Sequence, residues 1–324
     1  MALKLKYAIE ASIFWPPADR IVPGGYKKPV KPEDIYRLIR SVEGCEGVEL
    51  YYPYDFDDVK KIKSVVEGEG LAVSAVGIGF FSEAKWQQGG VTSFDRAIRQ
   101  EAMNISRRAI EAAGRLGAGI VVFWPGQDGY DYYFQVDYQK KWQLMVDALR
   151  ALGHIDKNIT IGIEYKPKEP RTHMLVPNAA KALKLAEDTG CANVGVIMDI
   201  GHSLLAHENP AEEAVYLFNR KRLVHLHSND NYNDWDFDLL PASVHFWENI
   251  EFLYWLKRMN YKGWMNFDIC PFREDSVKAC SLSIRHTRKM VDFVNSLDDK
   301  IMDGLIAEHD ALGTQEYLWK KLFK

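Results

Sequence analysis

Short apolar runs alternate with amphipathic segments along the chain, and the two periods predict alternating strands and helices. The first run spans Tyr7 to Trp15, a strand that ends in an aromatic loop. Gly47–Tyr52, Gly70–Gly79, Ala118–Trp124, residues 159–165, Asn193–Asp199, Arg222–His227 and Gly263–Asp268 read as further strands. Helices are predicted over Pro32–Arg40, 57–68, 94–116, 136–152, Pro177–Asp188, 209–219, Phe246–Met259 and 274–295. In the third of these, Ala97, Ile98, Ala102, Ile105, Ala109 and Ala112 recur at the three-to-four spacing of a buried helix face. Ala118–Trp124 is almost wholly apolar, as a parallel strand covered by helices must be. Repeated β–α units predict an α/β chain folded as a (β/α)8 TIM barrel, one domain over residues 1–296. A doubly wound sheet is the rival, but Gly77-Ile-Gly79 lacks the rest of a dinucleotide-binding loop.

Two stretches fall outside this alternation. Pro16, Pro17, Pro23, Gly24 and Gly25 exclude regular structure from a loop over residues 16–30, long enough to be functional or mobile. Residues 297–324 carry Ile301, Leu305, Ile306, Leu312, Tyr317, Leu318 and Leu322, which predict a C-terminal helical extension. It packs either on the barrel or on another subunit.

Composition narrows the partners. The 324 residues are 47% hydrophobic, enough for a large core, and 41 basic against 45 acidic residues leave a formal charge of −4. That balance implies no nucleic-acid partner. No charge-free run reaches the length of a membrane span, and Lys4, Lys6 and Glu10 interrupt what would be a signal peptide. Cys45, Cys191, Cys270 and Cys280 are far apart and form no CxxC pair, so a cytoplasmic protein with free thiols is expected.

The chemistry concentrates at strand ends, where barrels of this kind build their sites. Glu164 and Lys166 lie two apart at the end of the fifth strand, so both side chains point the same way. They form either a structural salt bridge or part of a reactive site. The sixth strand ends at Asp199 with His202 just beyond, the seventh at His225 and His227, the eighth at Asp268. Three carboxylates near one axis repel unless paired or metal-bound. Glu164, Asp199, His227 and Asp268 would give a divalent cation three oxygens and one nitrogen, a set suited to Mn²⁺, with Co²⁺ or Mg²⁺ as alternatives. His225 either donates a hydrogen bond in the site or is a satisfied core histidine. Asp234 and Asp236 belong either to a solvated loop or, with His202, to a second cation site.

The run Glu164-Tyr-Lys166-Pro-Lys-Glu-Pro-Arg171, the Asp199-Ile-Gly-His202 turn and the aspartate-rich loop after His227 resemble the xylose-isomerase-like superfamily, which includes aldose–ketose isomerases and ketose 3-epimerases. The first motif looks like that of xylose isomerases, the other two more like rhamnose isomerases. The resemblance implies that Glu164, Asp199, His227 and Asp268 bind a structural metal, and that His202, Asp234 and Asp236 bind a second, catalytic one. It assigns Lys166 to the substrate oxygens and Trp124 to the sugar pocket, with Trp15, Phe14 and Tyr52 as looser candidates for the same wall; His225, if it donates in the site, is a further substrate-binding candidate. One departure is clear: Leu50–Asp55 has no histidine where xylose isomerases carry one, and Asp55 alone does not replace it.

The expected activity is a metal-dependent interconversion of an aldose and a ketose, by hydride shift on the open-chain monosaccharide. The alternative is a ketose 3-epimerase, or an enediolate-type isomerase, with Glu164 and Asp268 as an acid/base pair. A non-catalytic sugar-binding barrel is a third reading. Metal-assisted phosphodiester hydrolysis is disfavoured by the sparse histidines and acidic balance. Loop aromatics, with the habit of the families resembled, suggest a homo-oligomer.

Overall fold

A computed structural model describes residues 1–56, 58–169 and 171–323; Pro170 of the polar loop lies outside them. Its strands are β1 (Lys6–Glu10), β2 (Gly47–Tyr52), β3 (Ala72–Ile78), β4 (Ile120–Phe123), β5 (Thr160–Glu164), β6 (Val194–Asp199), β7 (Leu223–Ser228) and β8 (Trp264–Phe267). All pair in parallel, in the closed order β1-β8-β7-β6-β5-β4-β3-β2. The TIM barrel predicted from the alternation is therefore the fold.

The connecting helices are α1 (Pro32–Ser41), α2 (Val59–Gly68), α3 (Arg96–Leu116), α4 (Tyr138–Gly153), α5 (Ala179–Asp188), α6 (Ile200–Leu205), α7 (Pro210–Asn219), α8 (Phe246–Met259) and α9 (Ser276–Ser296). Asp or Asn side chains accept from backbone N–H groups at the start of α2 through α7 and of α9, so short polar residues set where these helices begin. Beyond α9 lie α10 (Asp299–Ala307) and α11 (Ala311–Leu322). They pack on their own barrel: Met302 and Leu318 are buried, and Lys257 Nζ reaches Asp299 Oδ1 at 2.7 Å. Sequence alone left that choice open.

β1 is shorter than predicted. It ends at Glu10, and Ala11–Phe14 form a single 3-10 turn in place of continued strand. Its pairing with β2 stops at the Glu10–Glu49 register, so nothing holds the next residues extended. The loop after β5 also gains structure. Lys168–Glu169 and Thr172–Met174 pair antiparallel, and Gly129–Tyr130 joins them to form a small three-stranded patch.

Strand alternation points Gly162 and Glu164 of β5, and Ile197 and Asp199 of β6, into the barrel. Ala75, Val122 and Ile197 form a small apolar cluster of their own, separate from the large core between strands and helices. Gly162 leaves the space that Ile197 fills. Polar side chains occupy the C-terminal end of the interior. Among the described residues no helix is long and apolar enough to cross a membrane, and all four cysteines are free.

Candidate metal centre and its cavity

Four side chains from four neighbouring strand ends converge as predicted. Glu164, Asp199, His227 and Asp268 each bring one ligand atom within 4.8 Å of the other three, and three of the four residues are buried. Local structure fixes them. Asp199 ends β6 and also caps α6, its Oδ1 accepting the His202 backbone N–H at 2.7 Å. Asn229, two residues beyond His227, donates from Nδ2 to Asp199 Oδ2 at 3.1 Å and Asp268 Oδ1 at 2.9 Å. One amide thus holds two carboxylates side by side.

The donor set fits a divalent cation on its own evidence. Glu164 Oε2 and His227 Nδ1 are buried with no hydrogen-bond partner. His227 Nδ1 faces carboxylate oxygens of Glu164 at 3.5 Å and Asp268 at 3.7 Å. Buried polar atoms are rarely left unpaired, and three carboxylates this close repel. Burial first, and Asp199 second, push the Asp268 carboxyl well above the usual carboxylate range. A cation relieves both problems at once.

Above this cluster opens a cavity of about 310 Å³, bordered by Glu10, Trp15, Tyr51, Trp124, Glu164, Lys166, His202, Asp236, Asp238 and Asp268. Lys166, buried, is ion-paired with Glu169 and with Asp236 Oδ2 at 2.6 Å, and its ammonium lies 5.5 Å from the centre of the Trp124 ring. Burial alone would lower the Lys166 pKa; Asp236 and Glu169 outweigh it and hold the amine charged. His202 Nε2 meets the same Asp236 oxygen at 3.2 Å. Burial pulls that imidazole down, but Asp199 and Asp236 raise it to about 9.

The expected second cation site is only partly assembled. His202 and Asp236 come together, with the Lys166 ammonium ion-paired to the same Asp236 oxygen, whereas Asp234 is exposed. Asp238 takes the inner position instead, bordering the cavity, with its carboxyl pushed well up by burial and by Asp236. Trp15 and Trp124 border the cavity. Phe14 is buried in the core, Tyr52 packs against it, and neither is a cavity residue. His225 is fully buried and bonded to Glu49 at 3.3 Å, away from the cavity wall.

Sequence reasoning missed Glu10 and Glu49. Glu10 Oε1 meets the Tyr51 hydroxyl at 3.3 Å and Oε2 accepts from Ser12 Oγ at 2.5 Å; burial, then Glu49, raise its carboxyl to about 8. Glu49 is fully buried under His225 and His227. A carboxylate in the middle of an apolar strand was the available signal, since such a group needs a partner.

The chain matches the family of xylose isomerase-like TIM barrels over residues 36–290, and it belongs to that family. Among solved structures it is similar to the 3-keto-D-glucoside 4-epimerase of E. coli, with 18% identity over 88% of this chain and 100% of that one and a TM-score of 0.71. A D-tagatose 3-epimerase-like protein matches with 20% identity over 90% of this chain and 98% of that one, TM-score 0.68. D-allulose 3-epimerase from Methylomonas sp. matches with 17% identity over 90% and 99%, TM-score 0.65. These names correct the expected leaning toward xylose and rhamnose isomerases: the superfamily stands, but most of the similar structures carry epimerase names, mainly of ketoses, beside a xylose isomerase domain protein. A buried ligand cluster at the catalytic face of a barrel of this family makes the chain a metal-dependent enzyme.

Proposed function

We propose that the chain is a divalent-cation-dependent epimerase of a ketose monosaccharide, with Glu164 and Asp268 as its acid/base pair. The observation that carries this reading is that both carboxyls border one cavity and one ligand cluster, yet come from strand ends separated by β6 and β7. Two carboxyl groups reaching a bound sugar from different walls suit removal of a proton from one face and return to the other. The epimerase names of the similar structures support the same reading.

Glu164, Asp199, His227 and Asp268 would hold the cation, with Mn²⁺ favoured over Co²⁺ or Mg²⁺ by the single imidazole among carboxylates. Bound there, it supplies Lewis-acid polarisation of the sugar's carbonyl and neighbouring hydroxyl oxygens. Glu164 takes the proton from the carbon next to the carbonyl, and the electron pair moves into an enediolate. Asp268 delivers a proton to the opposite face of that carbon. The pair then exchanges protons with solvent through the open cavity, and in the reverse direction the roles swap. Trp124 and Trp15 offer flat apolar surfaces to the sugar.

Aldose–ketose isomerisation by hydride shift is the second reading, and Lys166 favours it: a permanently charged amine at the cavity wall is placed to stabilise a carbonyl oxygen gaining negative charge. A second cation at Asp236 Oδ2 beside His202 would compete with that amine. Assembly as a homo-oligomer is also proposed, from the exposed aromatics Tyr132, Tyr133 and Phe134.

Turnover of ketoses with Mn²⁺ in D2O separates the readings. Epimerisation through Glu164 and Asp268 puts deuterium on the inverted carbon. Product that keeps its carbon-bound hydrogen, moved between neighbouring carbons, would sink the epimerase reading in favour of the hydride shift.

A further inference from the structure

We infer that Glu49 is a positioning residue that fixes the tautomer of His227 and so prepares it as a metal ligand. The inference rests on the cation reading of the Glu164–Asp199–His227–Asp268 cluster and adds a residue on the far side of the barrel to it. Glu49 stands on β2, and His225 and His227 stand on β7. All three are fully buried. One oxygen, Glu49 Oε2, lies 3.3 Å from His225 Nε2 and 3.3 Å from His227 Nε2.

The direction of these bonds follows from what a carboxylate is able to do. An ionised carboxylate only accepts, so a ring nitrogen facing it must carry the proton. His227 is therefore the Nε2–H tautomer when neutral, and Nδ1 is left with a free lone pair. Nδ1 is the atom that points into the ligand cluster, facing Glu164 and Asp268, and it has no hydrogen-bond partner. The opposite tautomer would bury Nδ1–H where the cation belongs and leave Nε2 facing an oxygen that cannot donate to it. His225 adds a second donor to the same oxygen and stands near-perpendicular to His227, with ring planes at 82°. This clamps the carboxylate rather than competing for the metal.

The same three residues also have the composition of a cation site. Occupation there would require His227 to ligate through Nε2 while Nδ1 ligates in the first cluster, which demands a doubly deprotonated imidazole. Two hydrogen bonds onto one carboxylate need no such species. A carboxylate behind a histidine ligand orients the ring and strengthens its donation, an arrangement worth about 10–100-fold in metal affinity.

The test is Mn²⁺ titration of the chelator-treated full chain, read by the EPR signal of free Mn²⁺, for wild type and Glu49→Gln. The expected result is one Mn²⁺ per chain at the cluster in wild type and affinity about 10–100-fold weaker in the variant. Binding within twofold of wild type in a folded Glu49→Gln protein overturns the inference and leaves the cation reading standing. A wild type that binds no Mn²⁺ overturns both. If the variant does not fold, ¹⁵N-histidine NMR of the metal-free wild type, at a pH where His227 is neutral, decides: His227 protonated at Nε2 supports the inference, and protonation at Nδ1 overturns it.

Discussion

Two groups of buried charges share the catalytic end of the barrel and are built on opposite principles. In the cluster of Glu164, Asp199, His227 and Asp268, ligand atoms converge on one another and two of them have no partner. At the rim, Glu169 and Asp236 close on a cation the chain supplies itself, the Lys166 ammonium, and His202 Nε2 meets Asp236 Oδ2, although Asp236 Oδ1 and His202 Nδ1 are unpartnered there too. The difference teaches how to tell a binding centre from a fixed one. Carboxylates gathered with only imidazoles between them leave room for a cation that arrives; carboxylates closed on a lysine ammonium set the position of a group that stays.

That contrast breaks most readily at Glu164. Glu164→Gln keeps the shape of the side chain but removes a ligand charge and one member of the acid/base pair. Turnover should fall by about 10²–10⁴-fold, with Mn²⁺ affinity falling alongside it, while the unfolding midpoint without metal stays the same or rises. Steady-state assays beside denaturant melts check this, and a large loss of stability without metal would place Glu164 in the self-neutralised class.

Lys166→Met should do the reverse. It strands the buried Asp236 without its amine, and removing one partner of a buried pair costs about 3–5 kcal/mol. Urea unfolding measures that cost. Stability unchanged from wild type would mean that His202 alone balances Asp236, and the rim would no longer differ in kind from the cluster.

Glu208 supplies the smallest effect and a control outside both groups. It accepts from the Ala179 backbone N–H at 2.9 Å and from Ser203 Oγ at 3.2 Å, with no cationic partner among the described residues. Burial raises its carboxyl to about 7 from an ordinary value of 4.5. The folded state therefore holds this proton more tightly than the unfolded chain. Its contribution to stability is full below pH 4.5, declines as pH rises through about 7, and stays lost above that. Discounted for partial exposure the loss is on the order of 2 kcal/mol, and Glu208→Gln should flatten that part of the pH–stability curve. A variant whose curve keeps the wild-type slope would assign the slope to other groups.

The strands were legible because a covered parallel strand is a short apolar run, and the ligands were legible because they end such runs. Glu164, Asp199, His227 and Asp268 each sit within one residue of the end of a strand. Glu49 was illegible for the opposite reason. It lies inside β2, and its partners are 176 and 178 residues away, so nothing local announces the pairing. The loop after β7 defeated the reading differently. Aspartates at 234, 236 and 238 are equivalent by alternation, but a loop keeps no period: Asn233 and Asp238 both adopt left-handed backbone angles, φ 65° and 47°, and the turns they make decide which carboxylates face inward.

The double duty of Asp199 limits how this site can be rebuilt. Asp199→Asn retains an oxygen for the His202 backbone N–H and subtracts only charge, so it separates the ligand from the cap. Asp199→His, an obvious exchange for anyone seeking a softer metal, would take away the start of α6 as well, at about 1 kcal/mol, and would loosen the turn that carries His202. For ion binding and folding alone Asp268, which begins no helix, is the freer of the two positions, but an exchange there also removes one member of the proposed acid/base pair.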